Sequence, residues 1–270
     1  MPKTLWRKLM IYIAFHKRYP LLTDDPAYQP LHVGKALSDH DLGFIGDNTG
    51  DHISEKNPNY SELTGLYWIW KNTGSEWVGL SHYRRFFFAQ EPGWKMQLKK
   101  VGEHLIGQGK KRFGIYYTSN KANTRLIIGG GEVQQILKEY DAIVPLARKV
   151  RYNVWEQYKR RHRIKDMETT RQIIAERCPK YLSSFATVME KKEIFSCNMF
   201  VMKRKNFEAY MEWLFDILFE LEKRSDISQY NNYQERLFGF VSERLLNVWI
   251  TQQHLKYMAL PVLYFKKIKV

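Results

Sequence analysis

Leu9-Met10-Ile11-Tyr12-Ile13-Ala14-Phe15 is an unbroken apolar run with β-branched and aromatic members. It is too short for a stable helix and lacks the alternation of a half-exposed strand. It therefore predicts a strand covered on both faces, the habit of parallel sheets. Trp77–Ser81, Asp141–Pro145 and Cys197–Met202 are three further runs of this kind. Stretches of helical period separate and follow them. Asn59 is placed to cap a helix carrying Leu63, Leu66, Tyr67 and Trp70, with Glu62 three residues on to return a bond. Asn72-Thr73-Gly74 ends it. Gly129-Gly130-Gly131 precedes a short helix bearing Val133, Ile136, Leu137 and Tyr140, and Asp166 is placed to cap one bearing Met167, Ile173 and Ile174.

The clearest helix begins at Asn206, read as its cap, and carries Phe207, Tyr210, Met211, Leu214, Ile217, Leu218 and Leu221 on one stripe. A last helix turns Leu237, Phe240, Val241, Leu245 and Val248 inward and sets Arg236, Gly239 and Glu243 on its outer face. Strands alternating with helices predict an α/β fold: a mostly parallel sheet flanked by helices, with a helical C-terminal portion. Asp39 to Ser54 reads as a loop, and Glu91 to Arg125 as an insertion of basic helix and loop. No internal repeat or linker divides the chain, so residues 1–270 are expected to form one domain.

The composition narrows the class. The chain has 270 residues, 44% of them hydrophobic, which is ample for a core and excludes a disordered chain. With Gly 16, Pro 9 and Cys 2, collagen-like and disulfide-scaffold classes are excluded as well. Cys178 and Cys197 fit no metal-ligand spacing and read as small core residues in a reducing compartment. No apolar run approaches the roughly 20 residues of a spanning helix, and the N-terminal stretch lacks a signal-peptide pattern. A cytoplasmic protein is expected.

Lys plus Arg is 43 and Asp plus Glu is 28, a net charge of +15. The excess is clustered. Eight cations lie between Arg148 and Lys165, with Trp155 and Tyr158 among them. Lys99, Lys100, Lys110, Lys111 and Arg112 form a second group, and Lys266, Lys267 and Lys269 a third. A phosphorylated substrate, an anionic membrane surface and nucleic acid all fit such charge. No helix-turn-helix, zinc-finger or RNA-recognition signature is present, so nucleic acid is the weaker expectation.

In open α/β sheets, ligands gather beyond the carboxyl ends of the strands. His16-Lys17-Arg18 follows the first strand, and His82-Tyr83-Arg84-Arg85 follows the second. Both offer imidazole and fixed cations where a diphosphate would sit, and charge of that sign stabilises a departing nucleotide diphosphate. Gly46-Asp47-Asn48-Thr49-Gly50-Asp51 reads as a ligand-contacting turn, its aspartates able to accept from sugar hydroxyls, or as an ordinary loop of Asx turns. Asp166, Glu235 and Glu243 are the candidates for a general base. Asp166 also has the plain reading of a helix cap, and Glu243 that of a partner for Arg236 or Arg244.

Several stretches are similar to a bacterial family of capsular and exopolysaccharide glycosyltransferases, first catalogued as a domain of unknown function. They are His32–Leu37, Gly46–Asp51, Asn59–Thr64, Tyr67–Asn72, Val78–Arg85, Asn198–Phe200 and Gly239–Leu246, in the right order along nearly the whole chain. The resemblance implies a GT-A-like, Rossmann-type fold. It implies transfer of a hexose, galactofuranose or galactose, from a UDP-sugar donor to a polyprenyl-diphosphate-linked glycan acceptor in capsule, exopolysaccharide or O-antigen synthesis. The protein would work at the anionic inner face of the cell membrane. Residues 1–146 would bind the donor, and 147–270 would serve the acceptor side.

His16, Lys17, Asp47, Asp51, Asn59, Glu62, His82, Arg84, Arg85 and Asn198 would then bind substrate, with Asp166 or Glu243 catalytic. Many nucleotide-sugar transferases hold a divalent metal, Mn or Mg, on an Asp-x-Asp triplet. Here Asp39-His40-Asp41 precedes a loop, and the His-Tyr-Arg-Arg segment is expected to supply the positive charge instead, so no cofactor is expected, with a divalent metal, Mn or Mg, as the weaker alternative. The alternative is a non-enzymatic basic module that binds nucleic acid or acidic glycan.

Overall fold

A computed structural model describes residues 8–88, 110–112, 114–231 and 233–268. Its strands are β1 (Leu9–Phe15), β2 (Tyr28–His32), β3 (Ile45–Gly46), β4 (Trp77–His82), β5 (Arg85–Phe87), β6 (Lys110–Arg112) and β7 (Ile115–Thr118). Then come β8 (Ala142–Pro145), β9 (Arg148–Lys149), β10 (Glu193–Ile194), β11 (Phe200–Lys203), β12 (Tyr257–Leu260) and β13 (Val262–Phe265). The helices are α1 (Asn57–Tyr60), α2 (Leu63–Asn72), α3 (Gly130–Glu139), α4 (Val154–Lys159), α5 (Ile164–Arg177), α6 (Leu182–Glu190), α7 (Arg204–Arg224) and α8 (Leu237–Gln253).

The fold is the expected α/β architecture, a mostly parallel central sheet flanked by helices. β3, β2, β1 and β4 run parallel in that order, with Phe15 opposite His32 and Ala14 opposite His82. The apolar run of β1 divides between the two faces of this sheet. Tyr12 and Ala14 join the cluster under the large helices, whereas Leu9, Ile11, Ile13 and Phe15 join the cluster on the other side. β11 divides in the same way, Phe200 and Met202 against Val201. Yet β11 is antiparallel to both of its neighbours, β4 and β8. An unbroken apolar run reports burial on two faces, not strand direction. After β4 the chain turns at Tyr83-Arg84 into β5, which continues the sheet through β13, β7 and β6.

Three expected helix caps are corrected. The helix near Asn59 is two helices, broken at Ser61 by a left-handed φ of 52°. Asn59 Nδ2 donates to the Glu235 carbonyl (3.1 Å), and Glu62 accepts from Asn198 Nδ2 (2.8 Å), so distant partners have replaced the local capping box. Asp166 and Asn206 are third residues of α5 and α7, whose N-caps are Arg163 and Lys203. In the second case the strand passes directly into the helix. Phe240, expected inward, is only half-buried. Of the 91–125 insertion, 91–109 lie outside the described residues, as do Lys99, Lys100 and Lys269; the rest includes β7 and a 3-10 turn, Lys121–Leu126. Among the described residues, no helix is long and apolar enough to cross a membrane.

Gly79 lies in β4 between β1 and β11. A Cβ there would come within 2.8 Å of Val201 Cγ2 and 3.0 Å of the Phe200 carbonyl oxygen. Backbone cannot give way as a side-chain tip can. Gly79→Ala is therefore expected to destabilise the fold by about 1–3 kcal/mol through overpacking, read as a lower thermal midpoint. An unchanged midpoint would mean that β11 moves aside without cost.

Candidate active site

β1 sits between β2 and β4, so the chain leaves it towards one side and later returns on the other. Ligands bind beyond the carboxyl ends of strands at such a switch point. A cavity of about 810 Å³ opens there. Its strand wall is built from His16 and Lys17 after β1, Val33 and Gly34 after β2, and His82 to Arg85 after β4. Its opposite wall is α8 and the turn before it. Arg236, Gly239, Phe240 and Glu243 recur at helical spacing, so one face of the helix presents them together. Ser61, Glu62, Cys197, Tyr233 and Tyr264 also line it.

Four fixed cations, Lys17, Arg84, Arg85 and Arg236, face two carboxylates, Glu62 and Glu243. The surplus is positive, and the cavity suits an anion. Arg84 and Arg85 each lie over the Tyr264 ring, 5.2 Å from its centroid. Arg84 Nη1 donates to the Lys266 carbonyl (3.1 Å). The Arg85 guanidinium makes no hydrogen bond or ion pair with the protein among the described residues. Burial works against its charge, but Cys197, Glu62, Tyr264 and Glu243 raise its pKa overall.

His82 Nε2 lies 2.6 Å from the Cys197 carbonyl. A carbonyl only accepts, so Nε2 carries the proton. Burial lowers the His82 pKa, with Arg85 and Arg236 acting in the same sense against Glu62. The ring is neutral at pH 7, and Nδ1 is left as an acceptor. His16 is exposed to the cavity and packs edge-on against Tyr83 at 5.1 Å. Desolvation by the cavity walls, reinforced by Lys17, Arg236, His82 and Arg84, lowers its pKa to about 4.

His16 thus binds a proton less readily folded than unfolded. Its contribution to stability is complete above its ordinary value of 6.5 and is lost as pH falls towards about 4. An imidazole titration followed by NMR is expected to show a midpoint near 4 that rises when inorganic pyrophosphate is added. A midpoint near 6.5, or one that pyrophosphate leaves unmoved, would remove His16 from the anion site.

Two consecutive residues tie the cavity groups together. The Cys197 N–H donates to Glu243 Oε1 (3.0 Å), the Cys197 carbonyl accepts from His82, and Asn198 Nδ2 donates to Glu62 Oε1 (2.8 Å). Cys197 and Asn198 both have left-handed backbones, with φ of 80° and 48°. With Ser61, three of the four described non-glycine residues of positive φ adjoin this cavity. Backbone strain of this kind is held in place by surrounding structure and collects at functional sites. Behind Glu243, Arg244 donates to its Oε2 (3.1 Å), to the Phe240 carbonyl and to Gln157.

His16, Lys17, Glu62, His82, Arg84, Arg85 and Glu243 therefore come together, and Asn198 supports them from behind. Other expected site residues lie elsewhere. Asp47 is fully buried and accepts from the Gly34 and Lys35 N–H groups (2.9 and 3.1 Å), fixing the left-handed turn at Gly34 rather than facing a ligand. Asp51 accepts from the Tyr67 hydroxyl and bonds Asn72, at the far end of α2 from Glu62. Asn59 and Glu235 are joined to each other away from the lining. Asp166 is buried and accepts from the Tyr230 hydroxyl (2.6 Å), and burial raises its pKa. It does not line the cavity, so its placement speaks against the role of base.

Asp41 of the Asp-His-Asp triplet pairs with Lys35 (3.1 Å) and with the Gly43 N–H on the surface. Among the described residues, no three His, Cys, Asp or Glu side chains are grouped to hold a metal ion. Residues that sequence reasoning missed include Tyr233, Cys197 and Tyr264. Only Arg236 had a signal, its shared helical face with Glu243.

No curated protein matches the chain. Among solved structures, the apo form of the bifunctional glycosyltransferase WbbM is similar over 97% of this chain, with a TM-score of 0.85 and 29% sequence identity. The chain spans 46% of that protein. The likeness agrees with a GT-A-like fold. A family match over residues 10–254 runs from β1 to the end of α8 and takes in the whole cavity lining except Tyr264. The chain accordingly belongs to the family described as Domain of unknown function (DUF4422).

Proposed function

We propose that the protein is a glycosyltransferase that moves a hexosyl group from a UDP-sugar to a glycan hydroxyl. The observation that carries this reading is the cationic cavity at the carboxyl ends of β1, β2 and β4, with a carboxylate on the facing helix. The donor diphosphate lies against Arg84, Arg85 and His16. Glu243 takes the proton of the acceptor hydroxyl as its oxygen bonds to the anomeric carbon. The bond from that carbon to the diphosphate oxygen breaks, and UDP leaves with the electron pair. Arg85 meets the charge that develops on the leaving oxygen, the point at which fixed positive charge does most for the rate. Among the described residues no three His, Cys, Asp or Glu side chains are grouped for a metal ion, and the steps above use the chain's own side chains.

The finer reading concerns the sugar and its destination. Galactofuranose or galactose is the proposed sugar, and a polyprenyl-diphosphate-linked glycan in capsule, exopolysaccharide or O-antigen synthesis is the proposed acceptor. The motif resemblance supports both. The basic segment around α4 supports attachment to the anionic inner face of a membrane, because Lys159, Arg160, Arg161, Arg163 and Lys165 are all exposed.

A donor screen with the purified protein, with and without EDTA, tests the reading. UDP release from one UDP-hexose, together with UDP binding by calorimetry, is the expected result. The rival basic module would bind nucleic acid or acidic glycan with an affinity that falls steeply with salt and ignores the identity of the nucleotide sugar. Failure to bind any uridine nucleotide would decide for the rival.

A further inference from the structure

The two walls of the cavity differ in chemistry. The strand wall carries cations, whereas the α8 wall carries rings beside a carboxylate. Tyr233 leaves 51% of its surface exposed, although its ring is held by two others. It lies 5.0 Å from Phe240 and 5.9 Å from His162, nearly parallel to the latter at 15°. His162 itself packs 4.1 Å from Phe240. The Tyr233 ring is thus supported on one side and open on the other. Phe240 and Glu243 are three residues apart on one helical face, which keeps the aromatic surface beside the carboxylate. Arg236 donates through Nε to Ser61 Oγ (3.0 Å). Its two terminal nitrogens have no hydrogen-bond partner in the protein among the described residues.

A supported aromatic face, free guanidinium donors and an adjacent carboxylate together match a sugar ring. The C–H face of a sugar packs on an aromatic ring, while its hydroxyls need polar partners at the edge. We infer that this wall is the acceptor-sugar subsite: the receiving sugar lies on the open side of Tyr233, Arg236 donates to one of its hydroxyls, and the attacking hydroxyl turns to Glu243. The inference rests on the glycosyl-transfer reading and adds where the acceptor sits and which residue selects it. A nucleobase would also stack on a tyrosine. It is the less suitable occupant, because the base carboxylate on this wall has to reach the acceptor hydroxyl.

The test uses three probes, octyl β-galactopyranoside, octyl β-glucopyranoside and octyl α-mannopyranoside. Their binding to the UDP-loaded protein is followed by saturation-transfer NMR in wild type, Tyr233→Ala and Tyr233→Phe, with UDP affinity measured in parallel by calorimetry. At least one glycoside is expected to bind wild type, to bind Tyr233→Ala about tenfold more weakly, and to bind Tyr233→Phe within about twofold. UDP affinity is expected to stay within about twofold in both variants, which also reports that they fold. Equal glycoside binding by Tyr233→Ala overturns the inference, as does binding of none of the three. A parallel loss of UDP affinity overturns it too, and gives the ring to the nucleotide. A wild-type protein that binds no UDP removes the glycosyl-transfer reading itself, and the subsite with it.

Discussion

Glu243→Gln is expected to lower the transfer rate by about 10²–10⁴-fold, the range of a lost general base, while UDP affinity stays within about threefold. Glutamine keeps the shape and still accepts from the Cys197 N–H, so the 3.0 Å bond that anchors the side chain survives. What disappears is the ability to take a proton. Each carboxylate oxygen has two lone-pair sites. Cys197 and Arg244 use one site on each, leaving room for the acceptor hydroxyl. The control is Asp166→Asn, expected to leave turnover unchanged, since that side chain faces Tyr230 and not the cavity. Steady-state kinetics on both variants separates the candidates. Turnover of the Glu243 variant within about tenfold of wild type, well short of that loss, would move the base to Glu62.

The second large effect is expected at Arg85. Arg85→Ala should cost about 10²–10³-fold in kcat, the range for removing a preorganised donor from a developing anion, and should weaken UDP binding as well. Arg84→Ala should cost less, because one of its nitrogens is already committed to the Lys266 carbonyl. Arg85 has no such commitment, and its charge is held by nearby carboxylates and Tyr264. Arg85→Lys should recover only part of the loss, since an ammonium keeps the charge but not the planar fork that matches two phosphate oxygens. Kinetics and calorimetry on the three variants check the order. Full turnover in Arg85→Ala would remove that residue from the mechanism.

Much of this architecture can be read from residue order alone, for reasons that differ by element. β1 and β4 are legible because burial on both faces leaves an unbroken apolar run, and the helix stripe of α7 because its period is long and regular. β2 is not, since Pro30 interrupts a strand of five residues, and β12 and β13 are four residues each around Pro261. The cations after β1 and β4 are legible as site residues because strand ends are where ligands collect.

The carboxylates divide less cleanly. Asp47, Asp51 and Asp166 have the right chemistry for a site, but their partners are set by tertiary contacts that no local pattern records. Asp166 meets a tyrosine 64 positions away. Asn59 and Glu62 carry a capping signature that loses to partners 176 and 136 positions distant. Cys197 is legible only as a small core residue, whereas its backbone N–H and carbonyl hold two cavity side chains.

Position 198 meets two demands that are seldom met together. Its backbone has to accept a left-handed conformation, and its side chain has to offer a hydrogen to an anionic neighbour. Glycine would satisfy the first and fail the second. Aspartate tolerates the conformation but would set one negative group against another. Glutamine and lysine can donate but resist the backbone. Asparagine fulfils both in a small volume, so this single letter is a compact diagnostic: in a chain of similar design, its replacement would signal that the glutamate it holds, just ahead of the second helix, had acquired a different task.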